Sequence, residues 1–331
     1  IAEQTRGYLH ARLPAVLPWL ALAASRAFLQ AHTVTRPLVV GVVVANVVNF
    51  PLTWLLVFGD AGLLELGLPG LGVAQLGTAG AGLASAVSTL VQLAIALAAV
   101  RAAWDRGSEQ SRRPEPTIIR DVLRLGTPIG LTLLAEVGSF ALVSVLMGNL
   151  GQRALASHNV AISLVSSTFQ IALALGAAAS VRVGHAIGRA DAEATRRAGL
   201  TAIASGGLGM LLSAGAFVAI PRPLARILTD EPGVIEAAVP LLAVAAAFQL
   251  SDGVQAVAAG VLRGAGDTQV PLYANLAGHY AIGIPIGASL AWGAGWGAVG
   301  LWWGLSAGLT AVAILLTARF WLLSRRAIRR A

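Results

Sequence analysis

Two carboxylates, Glu136 and Asp252, carry most of the chemical potential of this sequence. Of its fifteen acidic residues, thirteen fall in polar stretches that separate long apolar runs, and only Glu136 and Asp252 lie within such runs. A carboxylate placed inside a hydrocarbon layer costs at least about 2.5–3.5 kcal/mol, so one found there usually faces a cavity and handles a cation or a proton. The competing reading of either residue is a protonated acid hydrogen-bonded between helices. Their neighbours are polar at helical spacing. Thr132, Glu136 and Ser139 share one helix face, and Gln249, Asp252 and Gln255 form a second stripe at three-residue steps. Asn46, Asn49 and Thr53, and then Ser85, Thr89 and Gln92, repeat the pattern in two earlier apolar runs. Ser and Thr in such runs commonly hydrogen-bond their own helix, and that reading is preferred for them here; Asn49 stays open.

Aromatic residues stand close to both acids. Phe140 is one turn after Glu136, Phe248 one turn before Asp252, and Phe169 lies on the run between them. A ring beside a carboxylate can hold an organic cation by cation–π attraction added to charge pairing, although packing is the commoner role of a single Phe. Enzyme chemistry has few candidates. The chain has no Cys, its five His (10, 32, 158, 185 and 279) lack ligand spacing, and no Ser/His, paired-Asp or metal-ligand pattern occurs. His158 and His185 read as capping or loop residues near helix ends. The Gly-rich turn Arg263-Gly264-Ala265-Gly266-Asp267-Thr268 follows an apolar helix and lacks Gly-Lys-Ser/Thr, so it reads as a connector and not a phosphate loop.

The elements that must position these residues are membrane helices. The chain is 56% hydrophobic and 11% charged, with a mean hydropathy of +0.76, too little charge for a water-solvated surface. Apolar runs of about 20 residues suffice to cross a bilayer. Such runs fall near 8–29, 38–58, 78–100, 125–149, 154–181, 198–220, 237–262, 270–292 and 298–322, giving nine expected spans. Pro14, Pro18, Pro51, Pro128 and Pro285 lie inside them, as membrane helices tolerate. The alternation of a β-barrel is absent. Trp54, Trp292, Trp296, Trp302 and Trp303 fit interfacial anchors.

All 23 basic residues are Arg, and sorting them by loop places eighteen on one side and five on the other. The rule that basic loops stay inside then makes the first side cytoplasmic, with residue 1 outside and the C-terminus inside. The same bias accounts for a net charge of +8 without nucleic-acid binding, since no clustered basic domain exists. The expected partners are the lipid bilayer and small organic cations, with the protein acting as a monomer.

An internal repeat adds a constraint. The stretch from Tyr8 to Arg101 parallels that from Ala237 to Arg319: Pro37 to Gly59 spans 22 residues, as does Pro271 to Gly293. Gly77-x-x-Gly80 then answers Gly297-x-x-Gly300. The expected organisation is 1–103 as the second half of one lobe, 104–121 as a cytoplasmic linker and 122–331 as a complete second lobe.

Asn49-Phe50-Pro51-Leu52, Leu150-Gly151, His158-Asn159-Val160-Ala161, Arg182-Val183-Gly184-His185 and Leu262-Arg263-Gly264-x-Gly266-Asp267-Thr268, in this order, resemble the multidrug and toxic compound extrusion (MATE) transporters, NorM-like branch. The resemblance covers essentially the whole chain. It implies an all-α polytopic membrane protein with a two-lobe helical bundle, nine of whose twelve helices are present and whose first three are missing. It also implies export of cationic, often aromatic compounds from the plasma (inner) membrane, driven by H⁺ or Na⁺ through alternating access, with no other cofactor. Glu136 and Asp252 match the family's cation-binding carboxylates and would ligate the metal ion if coupling is to Na⁺. Asn49, Gln255, Thr132, Ser139, Phe140, Phe169 and Phe248 complete the expected site. Some relatives have Tyr where Phe169 and Phe248 stand; without that hydroxyl the reading leans to H⁺. The alternatives are a lipid-linked-saccharide flippase of the same superfamily, which would have a cavity rich in Arg, and a non-transporting membrane scaffold.

Overall fold

A computed structural model describes residues 2–65, 67–104 and 115–325, and all regular structure among them is helical. Eight helices are long and apolar enough to cross a membrane: Gln4–Ala31, Arg36–Glu65, Gly77–Trp104, Pro116–Asn149, Gln152–Gly188, Ala192–Ala219, Pro232–Gly264 and Gly297–Leu323. Their surfaces carry exposed Leu, Val and Ile, such as Leu134, Leu212, Val218 and Ile314, which lipid solvates at no cost. The chain divides into two units, one ending at Arg112 and the other starting at Arg113.

In the first unit α1 (Ala2–Arg12) and α2 (Val16–Ala31) are joined by a 3₁₀ turn at Leu13–Ala15, where Pro14 can donate no helical hydrogen bond. Arg26 of α2 donates through Nη2 to Gln92 Oε1 of α4 (Gly77–Trp104) at 2.8 Å. In α3 (Arg36–Glu65) the backbone leaves helical geometry at Gly59, with φ 60°. Just beyond, the Asp60 carboxylate accepts the N–H groups of Leu71, Gly72 and Val73 at 2.9–3.0 Å, folding the 67–76 loop back onto the end of α3.

The second unit begins with α5 (Pro116–Asn149). Residues 105–114 of the expected linker lie outside the described residues. Its last part, 116–121, is already helical, because Pro116 stands in the first turn, where its missing N–H costs nothing. After α5 come α6 (Gln152–Gly188), α7 (Ala192–Ala219), the short α8 (Pro221–Arg226) and α9 (Pro232–Gly264). The expected span 270–292 is helical but not one α-helix, which is why eight and not nine spans stand as single helices. It runs as α10 (Gln269–Leu276), a π turn at Ala277–Gly283, α11 (Ile284–Ala288) and a second π turn at Ser289–Gly293. The last helix is α12 (Gly297–Leu323).

This broken segment lies against α12 backbone to backbone. A Cβ on Gly304 would come within 2.3 Å of Gly287 Cα and 2.4 Å of Gly283 O, so only Gly permits the approach. The repeated Gly-x-x-Gly motifs have matching roles in the two units. Gly77 and Gly297 open their helices at φ +56° and +53°. Three residues on, a Cβ at Gly80 would strike Leu56 O at 2.4 Å, and one at Gly300 would strike Ala291 N at 2.6 Å.

Two of the positions expected near membrane surfaces are interior. Trp302 is fully buried, because Leu301, Trp302, Leu305 and Leu309 form the inward stripe of α12; Trp292, Trp296 and Trp303 remain exposed. His158 is not a capping residue: it is buried within α6, its Nε2 is 3.0 Å from Ser144 Oγ, and its ring meets Trp302 edge-on at 5.8 Å.

Candidate functional site

The site residues of the second unit stand on three helices. Thr132, Glu136, Ser139 and Phe140 lie on α5, Phe169 on α6, and Phe248, Asp252 and Gln255 on α9. Helices α6 and α9 meet through glycine: a Cβ on Gly260 would fall 2.3 Å from Gly176 O. That close approach holds α9 against α6 through the region that carries Asp252 and Gln255. Glu136 is 9% exposed and Asp252 2%, so neither acid is solvated at the surface.

Two cavities open beside these acids, and Glu136 and Phe169 line both. The larger, about 220 Å³, is lined by Glu136, Phe140, Phe169, Asp252 and Ser166 among apolar side chains. The smaller, about 50 Å³, is lined by Glu136, Thr132, Phe169, Gln255, Arg263 and Thr268 with apolar neighbours. Burying a carboxylate without a compensating charge costs several kcal/mol, so two of them facing one aromatic-lined space make a place where a cation is stabilised.

The remaining polar groups are largely engaged within their own helices. Thr132 Oγ1 donates to Pro128 O at 2.7 Å and Ser139 Oγ to Glu136 O at 2.7 Å, the self-bonding expected of hydroxyls in membrane helices. Gln249 donates through Nε2 to Thr168 Oγ1 at 2.6 Å, and Gln255 through Nε2 to Asn275 Oδ1 at 3.3 Å, tying α9 to α6 and to α10. Phe248 lines neither cavity. It is fully buried, edge-on to Trp302 at 5.7 Å and to Phe140 at 6.2 Å, so it supports Phe140 from behind. Asn49 belongs to the first unit, half-buried, with Oδ1 3.4 Å from Thr53 Oγ1.

Reasoning from the sequence missed two participants. Arg263 was assigned to a connector, yet it occupies the last turn of α9 and its side chain lines the smaller cavity. His279, in the first π turn, is 1% exposed and packs edge-on to Phe140 at 6.1 Å. Helical spacing alone could have found Arg263, eight residues after Gln255 and so near the same face; the π turn hid His279 from any 3.6-residue count.

A polytopic helical bundle whose buried acids face internal cavities has the make-up of a membrane transporter, not an enzyme. The MatE family profile matches residues 128–289. The probable multidrug resistance protein NorM of Brucella suis biovar 1 is 38% identical over 330 residues, covering 97% of this chain and 68% of that protein. Its namesake from Pseudomonas aeruginosa is 35% identical over 320 residues, covering 95% of this chain and 64% of that protein. Among solved structures, the eukaryotic MATE transporter AtDTX14 superposes with a TM-score of 0.82 at 25% identity, covering 97% of this chain and 70% of that one. The chain belongs to the MATE family of transporters.

Proposed function

We propose that this protein is a multidrug exporter of the inner membrane, a cation-coupled antiporter that moves cationic, often aromatic compounds outward by alternating access. The observation that carries this reading is the cavity of about 220 Å³ in which Glu136 and Asp252 face aromatic walls and no basic side chain. An organic cation entering it supplies positive charge to the two acids, and entry of the coupling ion from outside neutralises them and releases the cargo. The relatives named as multidrug resistance proteins support the same cargo class.

The lining of that cavity favours H⁺ as the coupling ion. Besides the two carboxylates, only Ser166 offers a side-chain oxygen, and Phe169 has no hydroxyl to add, whereas a hard metal cation needs a fuller oxygen shell. A proton needs only the carboxylates, and a low-dielectric setting favours a protonated acid. The flippase alternative gains little, because Arg263 is the one basic residue lining either cavity.

Reconstitution in proteoliposomes tests the proposal. An imposed proton gradient should drive ethidium in the direction opposite to the protons. Asp252→Asn should abolish this transport and Glu136→Gln should cut it severely, with insertion intact, since each change keeps shape and removes the exchanging charge. Transport driven by a Na⁺ gradient alone would overturn H⁺ coupling. Wild-type transport by Asp252→Asn would overturn the site.

A further inference from the structure

The two carboxylates do not have the same surroundings. Asp252 faces a cavity in which the only other charged group is Glu136. Glu136 stands on the wall between that cavity and the smaller one, and across the smaller one is Arg263. The guanidinium has no other obvious employment. Its Nε is buried and without a hydrogen-bond partner, and the acid nearest to it in sequence, Asp267, is engaged at 2.8 Å by Arg319. Elsewhere among the described residues, ion pairs join Arg197 to Glu193 and Arg222 to Glu236, so the partners available at the surface leave Arg263 out.

A cation at the C-terminal end of α9 is favourably placed with respect to that helix's dipole, but burial of its Nε without an acceptor carries a cost that a solvated arginine would avoid. Gln255 Oε1 is likewise buried and unpaired beside the same cavity. Arg263 and Glu136 do not form a contact ion pair, so their attraction acts across the cavity, where an intervening water could bridge them.

We propose that Arg263 is the resident counter-cation of Glu136, a positioning residue that compensates and orients this carboxylate across the smaller cavity while no cargo is bound. The inference rests on the reading of Glu136 as a cargo-binding residue. It separates the roles of the two acids: Glu136 keeps a built-in partner through the empty state, and Asp252 depends on whatever enters the larger cavity. The arriving cation then takes Glu136 over from that partner.

A double-mutant cycle on the full chain tests the proposal with two readouts. The first is thermal unfolding without ligand. Arg263→Gln should lower the melting temperature of the wild-type protein and change it much less in a Glu136→Gln background, while Arg263→Lys should retain most of the stability. The second is ethidium binding, followed by fluorescence anisotropy. Because ethidium and Arg263 compensate the same carboxylate, Arg263→Gln should tighten it by about tenfold, the equivalent of about 1.4 kcal/mol, and Arg263→Lys should stay near the wild-type affinity. Equal melting-temperature losses in both backgrounds would overturn the proposal, as would unchanged or weaker ethidium binding by Arg263→Gln. If Arg263→Gln fails to fold alone but folds together with Glu136→Gln, the coupling is upheld; failure of both would count against it. A wild-type protein that binds no ethidium would defeat the cargo reading, while the ligand-free melts would still decide whether Arg263 and Glu136 are coupled.

Discussion

Phe140 and Phe248 lie one helical turn from the two acids, yet the structure gives them different work. Phe140 lines the larger cavity, and Phe248 is sealed behind it against Trp302. Phe140→Leu removes a ring face from the cavity and should weaken ethidium binding severalfold, in keeping with about 0.5–2 kcal/mol for a cation–π contact, with little change in melting temperature. Phe248→Leu should do the reverse, costing about 0.5–3 kcal/mol of stability through lost packing and leaving affinity nearly intact. Binding isotherms and thermal melts on the two variants would separate these roles, and equal affinity losses would contradict the placement. The acids themselves were legible in the sequence because charge inside an apolar run is rare and costly. The difference between the two rings was not, since both sit at the same spacing and only the packing of α9 on α12 turns one away from the cavity.

At the scale of elements, the apolar runs located the eight long helices, but five of them extend five to nine residues beyond the run at one end, because a helix must be apolar only where lipid surrounds it. What the runs could not show was the segment from Gln269 to Gly293, where the hydropathy is continuous but the helix is not. Its two π turns accompany glycine contacts with α12, and such contacts leave no trace in hydropathy. Gly304→Leu should therefore force α12 off this segment, costing on the order of 1–3 kcal/mol of stability, the usual cost of overpacking, and lowering the melting temperature with it. Gly293→Ala is the matched control: nothing lies within 4 Å of a Cβ there, and its melting temperature should be unchanged. A Gly304→Leu protein as stable as the wild type would show that the close approach is dispensable.

For the whole molecule, the loop charges predict an orientation, and two ion pairs join residues that it groups on the same side. Arg222 and Glu236, at the connection between the runs 198–220 and 237–262 that this orientation puts outside, are joined at 2.8 Å, and Arg319 and Asp267, at the ends of runs that it puts inside, are joined at 2.8 Å. The absence of native Cys makes single introduced cysteines clean reporters in intact cells. Leu71→Cys, on the loop gathered by Asp60 and 67% exposed, should react with a membrane-impermeant maleimide added outside. Ser108→Cys, in the stretch 104–121 expected as a cytoplasmic linker, should react only after permeabilisation. External labelling of Ser108→Cys would invert the orientation.

The burial of Trp302 has an optical consequence. An indole enclosed by protein emits toward the blue and is sheltered from quenchers dissolved in water, whereas Trp292, Trp296 and Trp303 are exposed. Trp302 touches Phe248, Phe248 touches Phe140, and Phe140 borders the space where the acids face each other, so three rings in series join the cavity to a shielded fluorophore. A change in cavity occupancy should therefore reach the emission of Trp302, to be told from that of the other seven Trp by comparing the wild type with Trp302→Phe.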